Sequence, residues 1–198
     1  MIPKRGVKRR AIKSATLNRW ALKLMRDESL MQAYSNGNAL AFEELYRRYK
    51  RGLFVFLRRQ CSNVEVCEEL AHDSWMAVIK QASRYQTQAQ FKTWLFRIAH
   101  NRLIDHWRKH GNSAKVLFEE LSESLKADNA EIDSHIKIAE LLSSLESLSA
   151  EQTETVLLKI EGFSYAEIAD ITNAKQETVK SRLRYAAKHL KLSMEPAS

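Results

Sequence analysis

Proline occurs only near the two ends of this 198-residue chain, at Pro3 and Pro196. Proline ends or kinks a helix, so nothing of that kind interrupts the interior. From Asp27 onward apolar residues recur almost continuously at the spacing of amphipathic helices. The periodicity weakens only at residues 111–133, where Ser, Asn, Asp and Glu are prominent. The pattern predicts an all-α fold of two small helical domains joined by a flexible acidic linker.

Charge is distributed unevenly along these segments. The predicted N-terminal extension, residues 1–26, carries nine basic and no acidic residues, and the whole chain has a net charge of +8. A helical domain at residues 27–110, the acidic linker at 111–133 and a second helical domain at 134–198 follow. The positive patches favour a polyanionic partner. The extension is either a basic arm that touches a partner molecule, or a disordered segment.

Residues 91–110 form the most informative predicted helix. Its apolar side comprises Leu95, Phe96, Ala99, Leu103 and Trp107. On the other side Arg97, Asn101 and Asp105 lie at i, i+4 and i+8, which places donors and acceptors in one row. Such a row can read base edges and hold phosphates, or it is an ordinary solvated face.

Two apolar residues, Trp94 and Ile98, fall on the same side as this polar row. They either pack under a neighbouring helix or offer a surface on which unpaired bases stack. The sequence leaves both alternatives open.

The second domain carries the pattern of a helix-turn-helix. Ser149 and Ser164 each stand three residues before Gln or Glu, which predicts two capping boxes. Asn173 tolerates the left-handed backbone of a tight turn, and the following helix has apolar residues at helical spacing from Val179 onward. That helix presents polar and basic side chains suited to a major groove. The alternative is a helical hairpin inside a bundle.

Other classes of site are poorly supported. Cys61, Cys67 and His72 lack a fourth ligand and the short spacing of a zinc site, so no metal and no cofactor are expected. The sequence contains no apolar run near the length of about 20 residues that is needed to span a membrane. Two cysteines suit an intracellular, reduced protein. A cytoplasmic location without membrane insertion is therefore expected. His100, His106 and His110 do not share a helix face, and no nucleophile motif or phosphate-binding glycine loop occurs. No catalytic residue is therefore expected, and the protein is predicted not to be an enzyme.

Two rival binding functions share features with this chain. A regulator with a ligand-binding first domain would have the same helix-turn-helix, but residues 27–110 are basic and show no small-molecule signature. An RNA-binding helical protein would share the positive charge.

Three motifs, in this order and spacing, carry a family resemblance: AFEELYRRY at 41–49, FKTWLFRIAHN at 91–101 followed by IDH, and GFSYAEIA at 162–169 followed by TVKSR at 178–182. Between Asp27 and Leu190, outside the linker, the chain resembles a bacterial sigma-70 family RNA polymerase sigma factor of the extracytoplasmic-function (ECF) group. The resemblance implies a transcription-initiation factor that binds core polymerase, recognises the −10 and −35 promoter elements and promotes DNA melting.

The resemblance also implies roles for particular residues. The first domain would be a region 2 that contacts the −10 element through Arg84, Lys92, Trp94, Arg97, His100, Asn101, Asp105 and Arg108. The second would be a region 4 that contacts the −35 element through Lys175, Gln176, Thr178, Lys180, Ser181, Arg182 and Tyr185. Core polymerase would be contacted through Glu69, Asp73 and Ser74. The implied partners are the largest and second-largest subunits of core RNA polymerase, promoter DNA and an anti-sigma factor.

The chain departs from the family pattern at a few positions. Leu148 and Ser149 stand where the family usually has Leu-Pro, and Asn173 replaces the glycine of the helix-turn-helix turn. Housekeeping factors have a tryptophan pair at the positions of Arg97 and Ile98. Its absence, usual for the ECF group, implies weaker melting power and a stricter requirement for a good promoter.

Overall fold

The computed structural model describes residues 19–61, 63–86, 90–110 and 148–194, and the regular structure within them is helical. Residues 19–24 form a short helical segment. The principal helices are α1 (Asp27–Ser35), α2 (Ala39–Arg58), α3 (Val64–Gln81), α4 (Phe91–His110), α5 (Ala150–Ile160), α6 (Tyr165–Thr172) and α7 (Gln176–Met194), with a 3₁₀ turn at Ala82–Arg84. The predicted linker at 111–133 and the start of the second domain lie outside the described residues.

The first domain packs α1 to α4 around a common apolar core, with helix ends set by local sequence. Gly37 adopts a φ of 95° in the turn between α1 and α2, a conformation that glycine reaches without steric cost. The Asn38 side chain then accepts a hydrogen bond from Leu40 N. Asn63 caps α3, because its side-chain oxygen accepts a hydrogen bond from Val66 N at 3.1 Å.

A polar network inside the first domain was not predicted. The Arg48 side chain, on α2, is only 21% exposed and forms ion pairs with Asp27 and Glu44. Its guanidinium also donates to backbone carbonyls of residues 22, 23 and 25, because a buried cation requires charged or polar partners. Arg48 thereby fixes residues 19–26, part of the predicted extension, onto the first domain.

The second domain confirms the predicted helix-turn-helix. Both capping boxes are present, at Ser149 with Gln152 and at Ser164 with Glu167. Asn173 ends α6 in the left-handed conformation, with φ 51° and ψ 39°, and α7 follows. The turn therefore reorients the chain so that α7 packs on α5 and α6.

The two domains pack directly against each other, and α4 contacts α6. Phe96 of α4 is fully buried between Phe56 of the first domain and Phe163 of the second, with ring centroids 5.2 and 5.0 Å away. The buried apolar residues of both domains form one continuous cluster. The all-α, two-domain prediction is confirmed, and within the described ranges no helix is long and apolar enough to cross a membrane.

Candidate nucleic-acid interface

The apolar side of α4 is where the sequence predicted it. Leu95, Phe96, Ala99 and Leu103 are buried, and Trp107 packs against the same core while remaining half-buried. This packing fixes the rotation of the helix, so the predicted polar row points away from the first domain. The residues of this row, together with neighbouring polar residues of α4, form two groups that have different surroundings.

The C-terminal part of the row is exposed to solvent. Asn101, Asp105 and Arg108 are exposed, and the Arg108 guanidinium lies 3.7 Å from the Asp105 carboxylate. An amide, a carboxylate and a guanidinium at successive turns can accept and donate hydrogen bonds to base edges and phosphates. We call these three residues the open row.

The N-terminal part of the row is occupied by the second domain. We call Lys92, Thr93, Arg97 and His100 the covered row. The Lys92 ammonium donates to the Glu161 carbonyl oxygen at 2.6 Å and lies 4.4 Å from the centroid of the Phe163 ring. A hydrogen bond and a cation–π contact therefore hold one side chain from both sides.

Three acidic side chains of the second domain face the remaining members of the covered row. Asp170 accepts from Arg97 at 2.9 Å, Glu167 accepts from the Thr93 hydroxyl at 3.0 Å, and Glu154 lies 2.6 Å from His100 Nδ1. The His100 and Glu154 side chains are 10% and 3% exposed, so water has little access to this pair. The predicted DNA-contacting His100 is thus buried between the domains.

The Glu167 carboxyl has several partners at this boundary. Burial raises its pKa, but hydrogen bonds from Ser164 and Thr93 and the nearby Lys92 charge lower that pKa below its ordinary value overall. The carboxylate therefore remains ionised at neutral pH while it caps α6 and accepts from α4. Sequence reasoning missed Thr93 and its partner. The available signal was the complementary charge of the basic α4 face and the acidic residues of α5 and α6.

The aromatic residues at the start of α4 form a packed group. The half-buried Trp94 ring lies 5.0 Å from Tyr85 and 6.1 Å from Phe91 between ring centroids, and Ile98 also packs against the core. Burial, together with Glu28 and Asp27, raises the pKa of Tyr85. Trp94 and Ile98 therefore pack against neighbouring residues, which was one of the two alternatives, and Trp94 also keeps part of its surface accessible. Arg84, exposed at the end of the 3₁₀ turn, lies in the chain just before this group.

Most residues predicted to contact the −35 element lie together on the solvated side of α7 or just before it. Val179 and Ala186 are buried beneath them, which orients the helix. The exposed members are Lys175, Gln176, Thr178, Lys180, Ser181 and Tyr185. Arg182 is half-buried. The pKa of Glu151 is lowered mainly by a hydrogen bond from Ser149, and the positive charge of Arg182 lowers it further. Lys180 pairs with Glu177 at 2.7 Å.

The residues predicted to contact polymerase separate into two groups. Glu69 and Asp73 are exposed on α3 and line a groove toward α4 that also includes Arg102 and His106. Ser74 is fully buried, and its hydroxyl donates to the Leu70 carbonyl oxygen at 2.7 Å. A direct contact through Ser74 is therefore incompatible with this structure, because its one-residue offset from Asp73 turns it into the core.

Comparison with known proteins identifies both domains. The model of sigma-70 region 2 matches residues 45–113, and that of sigma-70 region 4 matches residues 138–190. The chain is 31% identical over 140 residues to the RNA polymerase sigma factor CarQ of Myxococcus xanthus, covering 70% of this chain and 80% of that protein. The chain belongs to the sigma-70 family of RNA polymerase sigma factors. The chain is also 25% identical to the ECF RNA polymerase sigma-E factor of Haemophilus influenzae, and the match covers 87% of this chain and 97% of that protein. Such relatives place the chain in the ECF group.

Solved structures of similar fold agree with this sigma-factor architecture. CnrH, solved in complex with the cytosolic domain of CnrY, has a TM-score of 0.63 at 21% identity, covering 87% of this chain and 99% of that chain. RpoE from Bartonella quintana, solved with the anti-sigma factor NepR, has a TM-score of 0.61 at 24% identity, covering 79% and 98%. These likenesses concern the fold. As a member of the ECF group, this chain is an alternative sigma factor that acts in transcription initiation.

Within the described ranges, His, Cys, Asp and Glu side chains do not gather in a group of three or more that could hold a metal ion. Cys61 and Cys67 are both buried, and the Cys67 thiol donates to the Cys61 carbonyl oxygen at 3.2 Å. His72 is instead exposed. The considered cluster of these three residues is therefore not assembled.

Proposed function

We propose that this sigma factor divides promoter recognition between two helix faces on separate domains: α4 reads and helps to melt the −10 element, and α7 reads the −35 element. The observation that supports this division is the orientation of both helices. In each, buried apolar residues fix the rotation and direct a polar row to the side away from its own domain's core.

For the −10 element, the open row offers groups that hydrogen-bond to exposed base edges, and the covered row adds three cationic or potentially cationic side chains. Recognition of separated strands relies on unstacked bases, which bind by stacking on aromatic rings and through their freed edges. The half-exposed Trp94 lies in the first turn of α4, and the exposed Arg84 ends the 3₁₀ turn that precedes it in the chain; the strand would enter on this side. These residues supply stacking and phosphate contacts together.

For the −35 element, α7 offers Gln176, Ser181 and Arg182 near the N-terminus of a recognition helix. Helix-turn-helix domains place this end of the second helix in the major groove, where such side chains read bases. Lys175 and Lys180 are exposed beside them and would bind phosphates. The −35 element is thereby read as duplex, in contrast to the −10 element.

Core RNA polymerase would bind the acidic edge of α3 through Glu69 and Asp73. Opposite charges on two surfaces accelerate association and define the orientation of docking. The chain would have no catalytic role of its own and would act in the cytoplasm, where polymerase and DNA meet. An anti-sigma factor is a further expected partner, since two similar folds were solved with proteins that bind them.

The test is binding to purified core polymerase, followed by transcription from a promoter with both elements. The variant Asp73→Arg should lower the affinity for core polymerase severalfold, because it reverses the charge. The protein should remain folded, since Asp73 is exposed. Glu68→Arg is the matched control, because Glu68 is also exposed but lines a different groove, together with His72 and Trp75. Absence of promoter-specific transcription by the wild-type protein with core polymerase would overturn the proposal. Equal loss in both variants would exclude the assigned surface.

A further inference from the structure

The first turn of α1 carries two adjacent acidic residues that contact different helices of the first domain. Asp27 pairs with Arg48 of α2, and Glu28 contacts the start of α4. We propose that Glu28 is a positioning residue for strand opening: it fixes the first turn of α4 and thereby holds Trp94 where an unpaired −10 base stacks. This inference rests on the stacking role that the proposed function gives to Trp94.

The Glu28 carboxylate supplies an acceptor that α4 lacks within itself. Because the helix begins at Phe91, the amide of that residue has no acceptor from an earlier turn of the same helix. Glu28 Oε1 accepts a hydrogen bond from Phe91 N at 3.3 Å, and a negative charge is favourable at a helix N-terminus. The Glu28 side chain is only 19% exposed, so the contact is shielded from water. It therefore ties the start of α4 to α1.

The ring of Phe91 is held through the neighbouring acid. Phe91 is fully buried, and its ring centroid lies 5.6 Å from that of Tyr49. The Tyr49 hydroxyl donates to one oxygen of Asp27, whose other oxygen accepts from Arg48. The backbone and the side chain of Phe91 are thus both attached to the first turn of α1. This double attachment restricts both shift and rotation of the first residue of α4.

Trp94 packs on this attached turn. Its ring lies 6.1 Å from Phe91 and 5.0 Å from Tyr85 between centroids. Burial raises the pKa of Tyr85, and the negative charge of Glu28 raises it further, so the same carboxylate also lies near the second ring. An aromatic ring that is already held in place binds an unpaired base more tightly than one that must first be ordered. Loss of the Glu28 contact should therefore weaken stacking on Trp94.

The experiment uses holoenzyme reconstituted with the full chain and two kinds of promoter. One is a fork-junction DNA whose non-template −10 strand is unpaired, and the other is a duplex that has the −35 element but no −10 element. Glu28→Ala should weaken binding to the fork junction roughly tenfold, since a charged hydrogen bond is lost, and should leave binding to the −35 duplex unchanged. Permanganate reactivity of −10 thymines in a complete promoter should show slower strand opening.

Glu43→Ala is the matched control. It removes another carboxylate of the first domain, but the ion pair of Glu43 is an exposed one with Arg19 and does not involve α4. This variant should match wild type in both measurements. Glu28→Gln keeps an oxygen that can accept from the Phe91 amide, so it should recover most of the affinity for the fork junction.

Two readouts separate positioning from overall stability. Trp94→Ala should show the same defect as Glu28→Ala, and the double variant should be no worse than Trp94→Ala, because both changes act through one ring. In protein labelled with 5-fluorotryptophan, Glu28→Ala should shift the ¹⁹F resonance of Trp94, assigned with Trp94→Phe. The resonances of the other tryptophans should stay in place.

Additive losses in the double variant, or an unchanged Trp94 resonance, would overturn the proposal. Equal weakening on the −35 duplex would also overturn it, because that result indicates general destabilisation. The proposed function is judged separately, from promoter-specific transcription by the wild-type holoenzyme. If that transcription requires the −10 element while neither Glu28→Ala nor Trp94→Ala alters fork-junction binding, the positioning role alone is refuted. Selective, non-additive loss on the fork junction supports it.

Discussion

Replacement of Asn101 by alanine tests the assignment of the α4 face to the −10 element. Asn101 is exposed in the middle of α4, so Asn101→Ala should open no cavity and should change the free energy of unfolding by less than about 0.5 kcal/mol. A well-placed side-chain contact to a base contributes about 1 to 3 kcal/mol of discrimination, which corresponds to roughly 5- to 150-fold between the preferred base and its competitors. Preference at one or two −10 positions should fall by that factor.

The assay is transcription by reconstituted holoenzyme from promoters randomised at one element at a time. The matched variant is Arg182→Ala on α7, which should lower −35 discrimination and leave −10 preference intact. The double variant should show the sum of the two effects, since positions on separate domains without shared partners rarely couple. Altered −35 preference in Asn101→Ala, or loss of activity explained by thermal unfolding, would refute the assignment of these faces.

Two further predictions concern stability. Glu44 is 7% exposed and accepts from Arg47 and Arg48; hydrogen bonding from Arg47, with Arg48, lowers its pKa to about 2. Because the pKa is lower in the folded state, the ionised carboxylate stabilises the fold at any pH above the ordinary pKa of glutamate. This stabilisation is lost as the pH falls toward 2. Glu44→Gln should therefore unfold about 2 to 3 kcal/mol more easily at pH 7, with most of this difference lost at pH 2 in denaturant titrations; an equal gap at both pH values would contradict it. Because Asn173 has a positive φ, Asn173→Ala should cost about 1 kcal/mol and Asn173→Gly should not, and equal melting temperatures for the two variants would contradict that.

Local structure in this protein follows from local sequence. The capping boxes at Ser149 and Ser164, the Asn63 cap and the left-handed Asn173 were all predictable, because each depends on side chains within a few residues of one backbone position. The apolar side of α4 was predictable for the same reason, as periodicity within one helix defines its buried face. These features locate both candidate DNA-binding helices.

Contacts between distant segments were not predictable in this way. Arg48 has the sequence context of a surface arginine, and only the return of residues 22–27 across α2 makes it a buried partner. Helical periodicity also predicts the direction in which each side chain points, but it does not predict which other helix lies in that direction. Hence the sequence could place His100 beside the polar row but not identify Glu154, 54 residues later, as its neighbour.

The position of Ser74 illustrates the same limit at the polymerase-binding edge. The family resemblance assigns polymerase binding to a stretch of α3. Adjacent residues in a helix point about 100° apart, however, so they differ in exposure. Asp73 is exposed and Ser74 is buried. Only the packing of α3 against its neighbours decides which of the two can meet a partner.

The most direct test of the central claim is start-site mapping of transcripts made by core RNA polymerase with this protein as the added sigma factor. The template is a pool of promoters randomised in both elements. Active promoters should share two sequence elements at a fixed spacing upstream of the start site, one weakened by Asn101→Ala and the other by Arg182→Ala. Transcripts that start without any shared upstream element, or that need no added protein, would contradict the account.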